Sequence, residues 1–294
     1  MFKQGQRQAF IGIGGGSDCI QAAIVAMLSG NESCVISIRR DKLGSQTAHE
    51  ALGTKRTVHN HGGEISQGVF RVTPETTGSG RFLEFIPAEK MPTYLVIDSG
   101  DGRLQMQVED ALNDFGGVDS VVALDTGGDA LFRVEQAQDV VGVTSPDQDI
   151  CSLLAIAGIQ NIELYSAIVA NGIDAPDYSA QILQQADARY FQLNDSQSRQ
   201  VLETYKNFQL DGSHPERYGL TCFSWQAALR KEFGKVAMPL PDHLINHPTN
   251  PWNPVVDIRE EMAGIYIMDL DKHVAAITSP ASITSDPEVN SLGL

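Results

Sequence analysis

Ala9-Phe10-Ile11-Gly12-Ile13-Gly14-Gly15-Gly16-Ser17-Asp18 is the stretch whose reading decides the fold. The apolar run of residues 9–13 reads as a buried strand. Glycines then turn the chain, and Ile20, Ala23, Ile24, Met27 and Leu28 recur at helical spacing between Asp18 and Leu28. Ser17 or Asp18 can cap that helix and Gly30-Asn31 can end it. Cys34-Val35-Ile36-Ser37-Ile38 is a second buried strand. Strand, helix and strand in this order predict a βαβ unit and a parallel sheet.

The pattern continues outward. Residues 41–90 are rich in Gly, Thr, Ser and His and read as an irregular excursion, with β-like pieces at Val69–Thr73 and Arg81–Ile86. Tyr94–Asp98 returns to the core as a strand, Leu104–Phe115 is a helix ended by Gly116-Gly117, and Val121–Leu124 is the next strand. Ser145-Pro146-Asp147-Gln148-Asp149 opens a helix through Ile150–Ala157, because a serine cap, an early proline and early acids suit a helix N-terminus. Asn161–Ala170 reads as a strand, and Tyr178–Tyr190, Ser196–Phe208 and Ser224–Phe233 as helices. Ile265–Asp269 and Val274–Ile277 read as late strands, and 279–294 as a loosely held tail. The expected architecture is one three-layer, Rossmann-like α/β domain over 1–294, with a mainly parallel sheet and a helical C-terminal part.

Composition bounds the function. Hydrophobic residues make up 42% of the 294 and charged residues 20%, as in an ordinary globular protein. A net charge of -16 repels phosphate backbones and anionic lipid, which argues against nucleic acid and membrane surfaces as partners. No run approaches the roughly 20 apolar residues of a membrane span. The N-terminus has no apolar stretch of signal type, and Cys19, Cys34, Cys151 and Cys222 form no C-x-x-C pair. Free thiols in the cytoplasm are therefore expected.

Chemistry is expected where the glycines meet acids. Ligands of an open parallel sheet bind beyond the carboxyl ends of its strands. Gly14, Gly15 and Gly16 let a ligand approach the backbone, and the helix behind them favours an anion. Ser17 stands where the dinucleotide fingerprint has its third glycine, and Asp18 would repel a pyrophosphate. Asp18 is thus a cap, a partner for a ligand hydroxyl or amine, or a metal ligand. Asp125-Thr126-Gly127-Gly128-Asp129 is a second acid-flanked turn at a strand end. Such acids bind Mg²⁺ or another divalent cation, or position a sugar or water. Asp98, Asp101, Asp147 and Asp149 occupy comparable places, and converging carboxylates call for a cation or a cationic ligand. The plainer alternative is that these residues only cap and turn.

The 125–129 turn is similar to the aspartate-rich turn of nucleoside hydrolases, but has no second aspartate after the threonine, no proline, and lies mid-chain. A closer resemblance spans about the first two-thirds of the chain. Gly14-Gly15-Gly16-Ser17-Asp18, Asp125-Thr126-Gly127-Gly128-Asp129 and Ser145-Pro146-Asp147-Gln148-Asp149 follow in the order found in a prokaryotic family catalogued as a domain of unknown function. That resemblance implies a Rossmann-like fold and no established activity. Ser17 departs from its glycine.

These residues point to an enzyme of hydrolase or transferase type acting on a nucleotide, sugar phosphate or similar small anionic metabolite. Asp125 and Asp129 are the expected catalytic and metal-binding pair. Gly14, Gly15, Gly16, Ser17, Asp18, Arg39, Thr126, Gly127 and Gly128 are expected to bind the ligand, with Arg39 or Arg40 adding a cationic contact. A non-catalytic sensor or assembly subunit would use the same cleft, and a homo-oligomer is open. His59, His61, His243 and His247 lack the H-E-x-x-H zinc pattern. Trp225 reads as core or interface, as does Trp252.

Overall fold

The computed structural model describes residues 3–14, 16–40, 57–60, 63–73, 76–79, 83–137, 146–211, 215–238 and 255–280. Strand β1 (Arg7–Gly12) leads through α1 (Gly16–Ser29) to β2 (Glu32–Arg40). Four short strands follow: β3 (Thr57–Asn60), β4 (Gly63–Ser66), β5 (Val69–Arg71) and β6 (Thr77–Ser79). Next come the helical turn α2 (Phe85–Ala88), strand β7 (Thr93–Asp98), helix α3 (Leu104–Phe115) and strand β8 (Ser120–Thr126). A 3-10 turn (Asp129–Leu131) and α4 (Val134–Ala137) precede α5 (Pro146–Ala157) and β9 (Glu163–Val169). The chain continues through α6 (Ser179–Gln185), β10 (Arg189–Gln192), α7 (Asp195–Asn207) and α8 (Pro215–Leu229). It closes with β11 (Gly234–Ala237), β12 (Val255–Ile258), β13 (Gly264–Asp269) and α9 (Leu270–Thr278).

Among the described residues the main sheet has nine strands in the order β10-β13-β9-β8-β1-β2-β7-β5-β4. Its centre, β7-β2-β1-β8-β9, is parallel throughout. β13 and β10 extend one flank antiparallel, and β5 and β4 extend the other. The excursion therefore contributes a hairpin to the sheet. The central strands are mostly apolar through their middles because both faces are covered. One face carries α1, α7 and α8 over Phe10, Val35, Val122 and Ala167. The other carries α3, α5, α6 and α9 over Ala9, Ile11, Ile36, Val121 and Ile168. The fold is a three-layer α/β, Rossmann-like arrangement. Trp225 is fully buried in the first of these cores, and none of the four cysteines is in a disulfide. No helix among the described residues is long and apolar enough to cross a membrane.

Four expectations need correction. The β-like reading of Arg81–Ile86 fails where described, because Phe85–Ala88 is helical. Pro87 has no N–H for a ladder but tolerates the first turn of a helix. The helix expected to reach Tyr190 stops at Gln185. Asp187 turns the chain at φ 54, and Arg189–Gln192 becomes an edge strand on β13. Val274–Ile277 is helix, begun by Asp269, whose carboxylate accepts from Lys272 N at 3.1 Å. The helix read at Ser224–Phe233 begins at Pro215, is interrupted at Gly219 (φ 82), and ends at Leu229. Strands β11 and β12 were not expected at all. Gly15, Asp41, His61, Ser145, His243, His247, Trp252 and 281–294 lie outside the described residues, as does the His59 side chain.

Candidate functional site

Strands β1 and β8 are neighbours whose following helices leave toward opposite faces, so a crevice opens between their carboxyl ends. Gly12 pairs with Leu124, one residue before Asp125, and Ile13 N still donates to Leu124 O at 3.2 Å. The two glycine-acid turns therefore leave the sheet side by side. At Gly12 a Cβ would lie 2.6 Å from the backbone of Asp18 and Cys19, so only glycine lets α1 start this close to β1. Asp18, in the first turn of α1, reaches back to accept the Gly14 N–H at 2.7 Å.

Helix α5 closes the crevice from above. Gln148 Nε2 donates to Ile13 O at 3.2 Å and Ile38 O at 3.3 Å, while Ser152 Oγ donates to Ile13 O at 3.1 Å. These bonds seat the N-terminus of α5 on the ends of β1 and β2. They also aim Asp149 at the glycine turn. A Cβ on Gly14 would strike the Asp149 carboxylate and lie 2.8 Å from Asp18 Oδ2. Gly14 is thus the gap in which two acids approach the same backbone.

On the β8 side, Asp125 Oδ2 accepts the Ala130 N–H at 3.1 Å. Gly127 and Gly128 turn at φ 112 and 110, which favours glycine. Beyond β9 the loop returns to the same place: Gly172 N and Asp174 N both donate to Gly127 O, at 2.9 and 3.2 Å. A side chain on Gly127 would meet Asp174 Oδ2 at 2.6 Å and Thr221 of α8 at 3.0 Å; one on Gly128 would meet Asn171 Oδ1 at 3.0 Å.

Acids dominate the electrostatics, with Arg259 reaching only the Asn171 carbonyl, at 3.4 Å. Asp125 and Asp149 are each 1% exposed. Burial, then the charge of Asp18 and also that of Asp174, push the Asp125 carboxyl well above the ordinary range, against the backbone N–H groups of Ala130 and Gly128. Burial pushes Asp149 the same way, followed by Asp125, Asp129, Asp18 and Asp174. Asp125 Oδ1, Thr126 Oγ1, Asp149 Oδ1 and Asn171 Oδ1 are buried and have no hydrogen-bond partner among the described residues. Such orphaned buried acceptors are rare and call for a water, an ion or a ligand.

The expected residues divide cleanly. Asp18, Asp125, Asp129 and Asp149 are brought together. Asp98 and Asp147 instead flank Arg40, at 3.3 and 2.8 Å, and Asp101 pairs with Arg103 at its own turn. Arg40 thereby ties β2 to β7 and α5, while Arg39 sits half-buried one residue earlier on β2. Ser17 is half-buried inside the first turn of α1. No protein-family model, curated protein or solved structure matches the chain.

Asn171, Asp174 and Thr221 were not anticipated from sequence. A usable signal was there: Ala170-Asn171-Gly172-Ile173-Asp174 is a third glycine-acid turn directly after a buried strand. Thr221 carried none.

The donor set is all oxygen, which suits a hard cation rather than zinc. No group of three or more His, Cys, Asp or Glu among the described residues is arranged to hold a metal ion. The arrangement is therefore unlike a preformed protein cage. It is compatible with Mg²⁺ in its usual role, held by one or two carboxylates with water and ligand phosphate completing the shell.

Proposed function

We propose that the β1/β8 crevice binds a small anionic metabolite, a nucleotide or sugar phosphate, together with a divalent cation, and that the protein is a hydrolase or transferase. One observation carries this reading: Asp125 and Asp149, each 1% exposed, present orphaned oxygens at the point where the strand order reverses. Buried like charges are costly unless something neutralises them. An anion alone would add to the repulsion of any carboxylate that is ionised, and a divalent cation would offset it.

Asp125 and Asp129 would hold the cation, which when bound offsets phosphate charge and polarises the group under attack. Gly14 N–H is already taken by Asp18, so the backbone contact to the anion would fall to the first turn of α1, where a helix N-terminus favours negative charge. Arg39 and Arg40 stand at the end of the neighbouring strand β2 as the expected cationic contacts, with Arg40 already paired to Asp98 and Asp147. Asp149 is suited to hold a proton, because burial and its acidic neighbours favour its neutral form.

The test is calorimetric titration with a panel of nucleotides and sugar phosphates, with and without Mg²⁺, followed by product analysis. Asp125→Asn should weaken Mg²⁺-dependent binding at least tenfold without unfolding the protein. Binding without product would favour a ligand sensor over an enzyme. Binding unchanged by Asp125→Asn would sink the assignment.

A further inference from the structure

The site contains a residue on none of its loops. His273 lies on α9, fully buried, on the sheet face opposite α1. Its Nε2 is 3.0 Å from Ala130 O, and its Nδ1 is 2.9 Å from Ser166 Oγ on β9. A carbonyl can only accept, so Nε2 must carry the proton. Nδ1 is then the acceptor and the Ser166 hydroxyl donates to it. The same residue, Ala130, donates its N–H to Asp125 Oδ2 at 3.1 Å.

We infer that His273 is a positioning residue for Asp125: its ring N–H holds the Ala130 carbonyl, and so holds the Ala130 N–H on the carboxylate. Ser166 fixes which ring nitrogen bears the hydrogen, and β9 and α9 fix where the ring lies. Ala130 sits in the short 3-10 turn directly after Gly127-Gly128. Those glycines have the freest backbone of the segment, so a turn that follows them needs an anchor from outside. His273 supplies one from residues far away in sequence. Burial keeps the ring neutral, with a pKa pushed down to about 4, so Nδ1 stays an acceptor for the Ser166 hydroxyl at ordinary pH.

The role of the carboxylate rests on the function proposed above, but the positioning can be read without it. The experiment compares His273→Gln, which keeps an N–H at similar reach, with His273→Leu, which removes it. Ile277→Ala is the control, because Ile277 is buried on the same helix and is in neither hydrogen bond. Two quantities are measured: amide hydrogen exchange at Ala130, and binding of Mn²⁺ with adenosine diphosphate as probe. His273→Leu should speed Ala130 exchange at least tenfold and weaken probe binding tenfold. His273→Gln should stay within about threefold on both, and Ile277→Ala should leave Ala130 unchanged relative to its neighbours. Equal responses to His273→Leu and Ile277→Ala would reduce His273 to packing and overturn the inference. If the wild type does not bind the probe, the catalytic reading loses support, and Ala130 exchange alone still decides the positioning.

Discussion

Replacing His273 by glutamine should remove a specific part of the protein's acid sensitivity. Burial lowers the imidazole pKa from 6.5 to about 4 in the folded chain. On unfolding the ring regains its ordinary value. Between those two pH values the unfolded state therefore binds a proton that the folded state does not. With a depressed folded pKa, the stabilisation is complete above pH 6.5 and is lost as pH falls toward 4. At about 1.4 kcal/mol per pH unit, the loss is about 2 kcal/mol at pH 5 and about 3 kcal/mol at pH 4. Asp125 and Asp149 act in the opposite sense: their raised folded pKa values favour the folded state as pH falls. Both proteins carry those acids, so their difference isolates the histidine. Urea unfolding of wild type and His273→Gln at pH 8, 7, 6 and 5 gives that difference. The glutamine variant should be the less stable at pH 8, by an amount set by its fit, and should regain about 2 kcal/mol on the wild type by pH 5. A stability gap that does not change with pH would refute a buried neutral imidazole.

Three further outcomes are expected. Asp149→Asn should stabilise the ligand-free protein at pH 8 by about 1–2 kcal/mol, and by less at pH 5, because it removes an acid whose burial cost rises with pH; loss of stability in urea at pH 8 would mean that its charge is compensated. Gly14→Ala should cost about 1–3 kcal/mol and abolish probe binding, since the new methyl strikes the Asp149 carboxylate; a thermal melt and titration calorimetry read both. Asn194→Ala should cost about 1 kcal/mol by removing the capping box of α7, far in sequence from the crevice, and leave binding unchanged in the same assays.

The parts of the fold legible in sequence are those where local pattern and tertiary burial agree. Residues 9–13 and 34–38 are apolar but for Ser37 because both sheet faces are covered, and a fully buried strand shows in composition alone. Leu104–Phe115 was legible to the residue because Gly116 takes φ 94 and stops it. Val274–Ile277 was misread because four apolar residues fit either period; Asp269, which decides for helix, lies outside the run. Arg189–Gln192 is a strand only because β13 offers it an edge, and pairing of that kind leaves no local mark. The candidate site divides likewise. Glycines beside Asp18, Asp125 and Asp129 announced their turns. Asp149 was visible as a helix-start acid, but its aim at Gly14 is set by Gln148 and Ser152 gripping Ile13 O. His273 was invisible because its partners stand 107 and 143 residues away.

The crevice draws its walls from Gly14, Asp125, Asp149, Asp174 and Thr221, which lie on five separate stretches of chain. No fragment can carry it, and it exists only once the sheet has closed in register. Occupancy and folding are consequently one equilibrium. A ligand at a hundred times its dissociation constant would raise the whole molecule's stability by about 2.7 kcal/mol. The melting temperature of the intact chain is then itself a detector for any small molecule that fills the crevice.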